Sequence, residues 1–228
     1  MKSLHVDQFN HDEWAEDYDL DVADESHPIR EGYERVLDWV THEAHIGEDS
    51  SVLELGSGTG NLTKRITECR KIVCVDISTE MEALAAAKTN HLPREFIKSD
   101  LLEVFESAIG TFDRIISTYA IHHLTEPEKS ELFRKVWDCL SDGGLAVFGD
   151  LMVENRKVRQ EKIRYYCDNG QEEVALAIEG EFFWDIEESI QKLNDIGFSM
   201  KIERFSDLSY GIAARKSINS KQSVRGTP

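Results

Sequence analysis

Positive charge is scarce in this sequence. Lys and Arg number 26 against 44 Asp and Glu in 228 residues, a formal charge of -18 at pH 7. Non-specific binding to nucleic acid or to an anionic membrane needs clustered cations, so neither is expected as a partner. Prolines number only four, and hydrophobic residues make up 40%. The chain is therefore expected to fold, as one large domain whose core needs no disulfide or metal. The four cysteines, Cys69, Cys74, Cys139 and Cys167, form no C-x-x-C pair and have no histidine at zinc-finger spacing. They are expected to be free thiols in a reducing compartment, with no metal site. No apolar run approaches the ~18 residues of a membrane-spanning helix. The first residues, MKSLHVDQFNHDEW, contain no apolar stretch of the signal-peptide kind. A cytoplasmic protein is the expectation, as a monomer or homodimer.

Short apolar runs alternate with amphipathic segments. Residues 51–56, 72–76, 95–98, 113–118 and 145–149 read as strands, and their near-continuous apolar character suggests sheets covered on both faces. Parallel strands need helical crossovers, and the gaps are long enough to hold them. Helices are predicted from residue 29 to 44, at 80–88 behind a Thr79/Glu82 capping box, and from Thr125 onward, where Pro127 and Glu128 follow an N-cap. After a helix starting at Asp185 and closed by Gly197, residues 200–205 and 210–215 are separated by only four positions. So short a link permits a hairpin and excludes a crossover. The fold class is thus α/β: a Rossmann-like, seven-stranded, mostly parallel sheet ending in an antiparallel hairpin, with helices on both faces. Residues 151–184, partly helical at 156–166, are inserted after a strand end and are read as a lid or substrate-facing insertion. Residues 217–228 are read as a flexible tail.

The most informative run is LELGSGTGNL, residues 53–62. It follows a strand and is predicted to precede a helix, the setting in which a glycine loop holds a ligand. Asp76 ends the next strand 20 residues after Gly56, where a carboxylate can accept from both hydroxyls of a ribose. A dinucleotide or a nucleoside cofactor suits this frame. The dinucleotide fingerprint, however, needs glycine at position 61, which is Asn61, and Glu54 would repel a pyrophosphate. A sulfonium and an ammonium, as in S-adenosyl-L-methionine, suit such a carboxylate better, whether by direct contact or through a network.

These motifs resemble those of class I S-adenosylmethionine-dependent methyltransferases, and within them the small bacterial YrrT-like enzymes. The likeness rests on LELGSGTGNLT from residue 53, VDISTEM from 75, SDLLE from 99, FDRIISTYAIHHL from 112 and LSDGGLAVFGD from 140. FNHDEWAEDYD, residues 9–19, resembles the element that precedes this domain in relatives. The resemblance implies a methyltransferase domain over residues 29–216 and a cofactor-closing segment over 1–28, contributing Tyr18. It implies that Gly56, Gly58 and Gly60, with Ser57 and Asn61 between and beside them, cradle the methionine moiety and sugar. It implies that Asp76 binds the ribose, Ile77 and Met81 pack on adenine, Asp100 accepts from the adenine amino group beside Leu101, and Ser117 faces the transferred methyl. Local readings stay open beside these: a helix cap for Asp76 or Asp100, core packing for Met81, a surface aromatic for Tyr18.

Methyl transfer from a sulfonium is an in-line displacement that needs alignment and dryness, and a base only where the nucleophile carries a proton. His122, His123 and Tyr119 are the candidate catalytic groups; the histidines serve either as base or as wall. Tyr119, Asp150, Tyr165, Tyr166, Phe183 and Trp184 are candidate acceptor-pocket residues, and His42 and His45 are expected to be solvated. Residues 117–120 read Ser-Thr-Tyr-Ala, unlike the motif of exocyclic base-nitrogen methylation, and no Pro-Cys or radical cysteine cluster occurs. A small-molecule acceptor is the reading. A nicotinamide oxidoreductase and a catalytically silent binding module are the alternatives.

Overall fold

The computed structural model describes residues 2–5 and 15–217; residues 9–14 of the N-terminal motif and 218–228 of the expected tail lie outside them. The order of elements is α1 (Ala15–Ala23), α2 (Tyr33–Ala44), β1 (Ser51–Leu55), β2 (Lys71–Asp76), α3 (Thr79–Lys88), β3 (Arg94–Lys98), β4 (Phe112–Thr118), α4 (Glu126–Cys139), β5 (Leu140–Val153), α5 (Arg156–Asp168), α6 (Glu172–Gly180), β6 (Trp184–Asp185), α7 (Ile186–Ile196), β7 (Phe198–Arg204) and β8 (Ser209–Lys216). The strands lie in the order β3-β2-β1-β4-β5-β8-β7, and β6 pairs with the end of β5. β1 to β5 are mutually parallel, while β8 runs antiparallel to both β5 and β7. The expected seven-stranded sheet with a terminal hairpin is present, and the two-residue β6 adds an eighth strand.

Every side chain of β1 is buried because both faces of the sheet are covered. Val52, Ile72, Cys74 and Ile116 point into one apolar cluster with Val36, Leu37 and Val40 of α2. Leu53, Leu55, Val73 and Ile115 point into the other with Leu132, Phe133 and Val136 of α4 and Leu193 of α7. α2 sinks against the sheet where Gly149 and Gly211 are register partners. A Cβ at Gly149 would lie 2.3 Å from Val36, and one at Gly211 2.3 Å from Trp39.

Three local expectations change. The cap of α3 is Ser78, whose hydroxyl accepts from Met81 N–H at 3.0 Å, one residue before the expected Thr79. The glycine loop leads into a single 3-10 turn, Thr63–Arg65, instead of a helix. Thr63, Ile66 and Thr67 are β-branched and stiff at χ1, and the Thr63 hydroxyl is drawn to Glu54 at 2.6 Å. The fifth strand spans 14 residues in place of the expected five, because pairing with β8 continues from Leu145 to Leu151 and β6 pairs Met152 and Val153.

The 151–184 insertion is a packed element. Asn155 caps α5 by accepting from the amides of Lys157 and Val158. Tyr166, Val174, Ala175, Ile178 and Phe183 join the α2-side cluster, and Trp184 joins the other. Two cations hold its return: Lys129 donates to the Phe182 carbonyl and Arg159 to the Phe183 carbonyl.

Candidate functional site

The carboxyl ends of β1 to β4 surround a cavity enclosing about 930 Å³, part of it open to solvent. Its floor is the glycine loop. All three loop glycines have positive φ, at 69°, 50° and 79° for Gly56, Gly58 and Gly60. They are needed for different reasons. A Cβ on Gly56 would stand 2.3 Å from that of Ala120, and one on Gly60 3.0 Å from that of Ala85. Those two let the loop meet its neighbours. At Gly58 nothing lies within 4 Å of an added Cβ, so this bare backbone faces open space in the cavity.

Asp76 fixes the loop to β2. Its Oδ2 accepts from Gly58 N–H at 2.7 Å and its Oδ1 from Ser78 N–H at 2.9 Å. Its carboxylate lines the cavity, and a carboxylate can accept from both hydroxyls of a diol. Ser57 lines the same floor, and its buried hydroxyl has no hydrogen-bond partner among the described residues. Open backbone, a lining carboxylate and an unsatisfied hydroxyl in one place fit a polar ribose-bearing ligand. Tyr18, Asn61, Ile77, Met81, Asp100 and Leu101 also line the cavity.

Two expected residues do not line it. Gly60 packs on α3, and Ser117 is 1% exposed with its hydroxyl donating to the Leu55 carbonyl at 2.7 Å. Asp100 lines the cavity but is already engaged. Its Oδ1 accepts from the amides of Leu102, Glu103 and Ser3, and its Oδ2 from the Ser3 hydroxyl. The cap reading of Asp100 is therefore realised, and Ser3 covers it.

Of the two ways in which Glu54 is expected to favour a ligand cation, direct contact is not the one found. Glu54 is 1% exposed, accepts from the Thr63 hydroxyl and does not line the cavity. Burial raises its carboxyl to about 8, partly opposed by the Thr63 hydrogen bond. A proton bound in the folded state is thus released in the unfolded chain near the ordinary 4.5. The stability it contributes is complete below about pH 4.5 and is lost as pH rises through about 8. Glu54→Gln, which imitates the protonated form, is expected to flatten a loss of up to about 1.4 kcal/mol per pH unit across that window. Urea unfolding midpoints measured from about pH 5 to 8 check this; parallel pH slopes for the two proteins would contradict it.

Asp19, next to Tyr18, carries a connection that sequence reasoning missed. It accepts from Thr59 Oγ1 at 2.6 Å, from Asn61 Nδ2 at 2.8 Å and from Lys88 Nζ. Partial burial raises its carboxyl, but these bonds outweigh burial and hold it below the usual value. α1 is thereby latched over the glycine loop. Asn61 completes the network by donating to Tyr33 Oη at 3.2 Å. Asp19 does lie inside the 9–19 motif, so the signal was present without its partners.

Tyr119 and His123 line the cavity; His122 and Asp150 do not. His122 is buried, with Nδ1 2.5 Å from Asp150 Oδ1 and Nε2 3.5 Å from Glu181. Asp150 Oδ2 also accepts from the amides of Ile121 and His122 and from Trp184 Nε1. Asp150 is therefore a buried junction of β5, the turn after β4 and the insertion. Among the other candidate acceptor residues, Tyr166, Phe183 and Trp184 are core, Tyr165 is 58% exposed, and none lines the cavity. His42 and His45 are exposed as expected. Among the described residues no group of three or more His, Cys, Asp and Glu is placed to hold a metal, no helix is long and apolar enough to cross a membrane, and all four cysteines are free.

The glycine loop, an acid on the second strand and a sheet closed by β7 and β8 define a methyltransferase of the Rossmann-like class, and comparisons with known proteins agree. A family model described as a methyltransferase domain matches residues 52–144. An uncharacterized methyltransferase of Oceanobacillus iheyensis is 30% identical over 206 residues, covering 90% of this chain and 95% of that protein. One from Anoxybacillus flavithermus is 36% identical over 177 residues, covering 76% and 80%. The chain belongs to this family of bacterial methyltransferases. Among solved structures, magnesium protoporphyrin IX methyltransferase of Synechocystis PCC 6803 with bound SAH superimposes with a TM-score of 0.60 at 18% identity, covering 83% and 85%. The DhpI–SAM–HEP complex gives 0.66 at 18% identity, covering 90% and 94%. At that identity the likeness establishes the fold.

Proposed function

We propose that the protein is an S-adenosyl-L-methionine-dependent methyltransferase acting on a small-molecule acceptor. The observation that carries the reading is the Gly58–Asp76 arrangement: bare backbone facing the cavity, beside a carboxylate that lines it at the tip of the second strand. Neighbours of the same fold solved with bound SAH or SAM support it. The cofactor supplies an activated methyl group on a sulfonium. Asp76 would hold the ribose hydroxyls, Ser57 and Gly58 the sugar and amino-acid portion, and Ile77, Met81 and Leu101 the adenine. Asp100 would reach the adenine only by giving up Ser3. The segment 1–28 would close the site, with Asp19 as its latch and Tyr18 against the ligand. The helices of 151–184 would act at a distance from the cavity, as a wall supporting the turn that carries His123. The chain's own contribution is alignment and exclusion of water, with His123 the lining imidazole that can take a proton from a protonated acceptor.

The experiment is calorimetric titration with S-adenosylhomocysteine and with NADH. Saturable binding of the first and none of the second is expected. The reverse would replace this reading with the oxidoreductase one.

A further inference from the structure

The wall of the cavity beyond Gly58 has a composition that bears on the acceptor. Tyr33, at the start of α2, and Tyr119, just after β4, both line it with ring centroids 5.2 Å apart. Tyr119 is held at φ 50°, a conformation that side chains other than glycine adopt rarely, and it is 7% exposed. Both phenol oxygens have hydrogen-bond partners within the protein. Tyr119 donates to Ser209 Oγ at 3.4 Å, and Tyr33 Oη accepts from Asn61 Nδ2. Burial raises both phenols well above their ordinary value, so neither offers a phenolate. With both hydroxyls so engaged, the rings are the part of these side chains left to meet a ligand.

Around these rings the lining carries the carboxylates Asp76 and Asp100 and, among the described residues, no lysine or arginine. The nearby cations are engaged elsewhere. Arg30, whose charge acts on Tyr18 and Tyr119, is paired with Asp21 at 2.7 Å, and Lys88 is paired with Asp19. An anionic acceptor would find no lysine or arginine in the described lining to pair with, in a cavity whose lining carries two carboxylates. A cation would meet the negative faces of aromatic rings in a largely desolvated place, where that attraction is strongest. We propose that the Tyr33–Tyr119 wall is the acceptor-recognition surface and that the acceptor is a small molecule carrying a basic amine, recognised through its positive charge.

This rests on the function proposed above, and the test separates the two. Protein saturated with S-adenosylhomocysteine, which has no sulfonium to compete for the rings, is titrated with three probes of one shape by calorimetry and saturation-transfer NMR. These are choline, the uncharged 3,3-dimethylbutan-1-ol and the anionic 3,3-dimethylbutanoate. Choline is expected to bind at least about tenfold more tightly than the alcohol, the scale of a desolvated cation–aromatic contact, with the carboxylate weakest. Tyr33→Phe keeps the ring and should keep that preference; Tyr33→Leu should reduce it severalfold while S-adenosylhomocysteine still binds. Equal affinity for choline and the alcohol, preference for the carboxylate, or silence of all three probes on the loaded protein would overturn the amine assignment. Failure of S-adenosylhomocysteine itself to bind would instead sink the function on which it depends.

Discussion

Asp150→Ala is expected to lower stability by about 3–5 kcal/mol, the scale of removing one partner from a buried charged network. The carboxylate is 1% exposed and receives five donors: the amides of Ile121, His122 and Leu151, the His122 ring and the Trp184 indole. Alanine leaves those donors buried without an acceptor, in a space too small to rehydrate them all. For a chain of this size the loss corresponds to a melting point lower by roughly 6–20 °C. Asp150→Asn keeps one acceptor oxygen and should cost distinctly less. Urea denaturation with thermal melting checks both, and an alanine variant within about 1 kcal/mol of the parent would show that the junction is not what holds the insertion to the sheet. The effect should reach the site, because the turn Ile121–His123 carries His123 into the cavity.

Asp76→Ala is expected to weaken S-adenosylhomocysteine binding by about 1–3 kcal/mol, roughly a 5- to 150-fold rise in Kd. Two losses combine. The ribose loses its acceptor, and the Gly58 and Ser78 amides lose the group that sets the loop against β2. Asp76→Asn keeps an acceptor for one hydroxyl and should fall between the two. Calorimetry reads the change directly. Unaltered affinity in the alanine variant would remove Asp76 from the ligand-binding role and leave it only as a brace of the loop.

The loop is also where sequence and structure part company most usefully. Gly56, Gly58 and Gly60 read as one cradle in the sequence; Gly56 and Gly58 line the cavity, and only Gly58 has open space where a Cβ would stand. The other two make room for Ala120 and Ala85. Glu54 looked like a ligand group because it stands two residues before the loop. Strand alternation instead turns it into the sheet's interior, toward Thr63 and Cys74. Tyr33 gave no functional signal, since an aromatic at the head of an apolar helical stripe reads as core. Lining a cavity opposite Tyr119 depends on how α2 seats on the sheet, and that seat is set by Gly149 and Gly211.

The strands, their parallel order, the terminal hairpin and the position of the glycine loop were readable from the chain alone. Each follows from signals between neighbours in sequence: apolar runs, caps, glycine spacing and link lengths too short for a crossover. Tertiary structure alone decided that Asp19 latches the loop, that Ser3 occupies Asp100, that Asp150 is a five-donor junction and that two tyrosines form one wall. Those pairings join residues 28 to 97 positions apart, apart from the local cap and turn bonds. Hydrogen bonds and ring contacts act over a few ångströms. No pattern along the chain reports which distant side chains the packed sheet will bring within that reach.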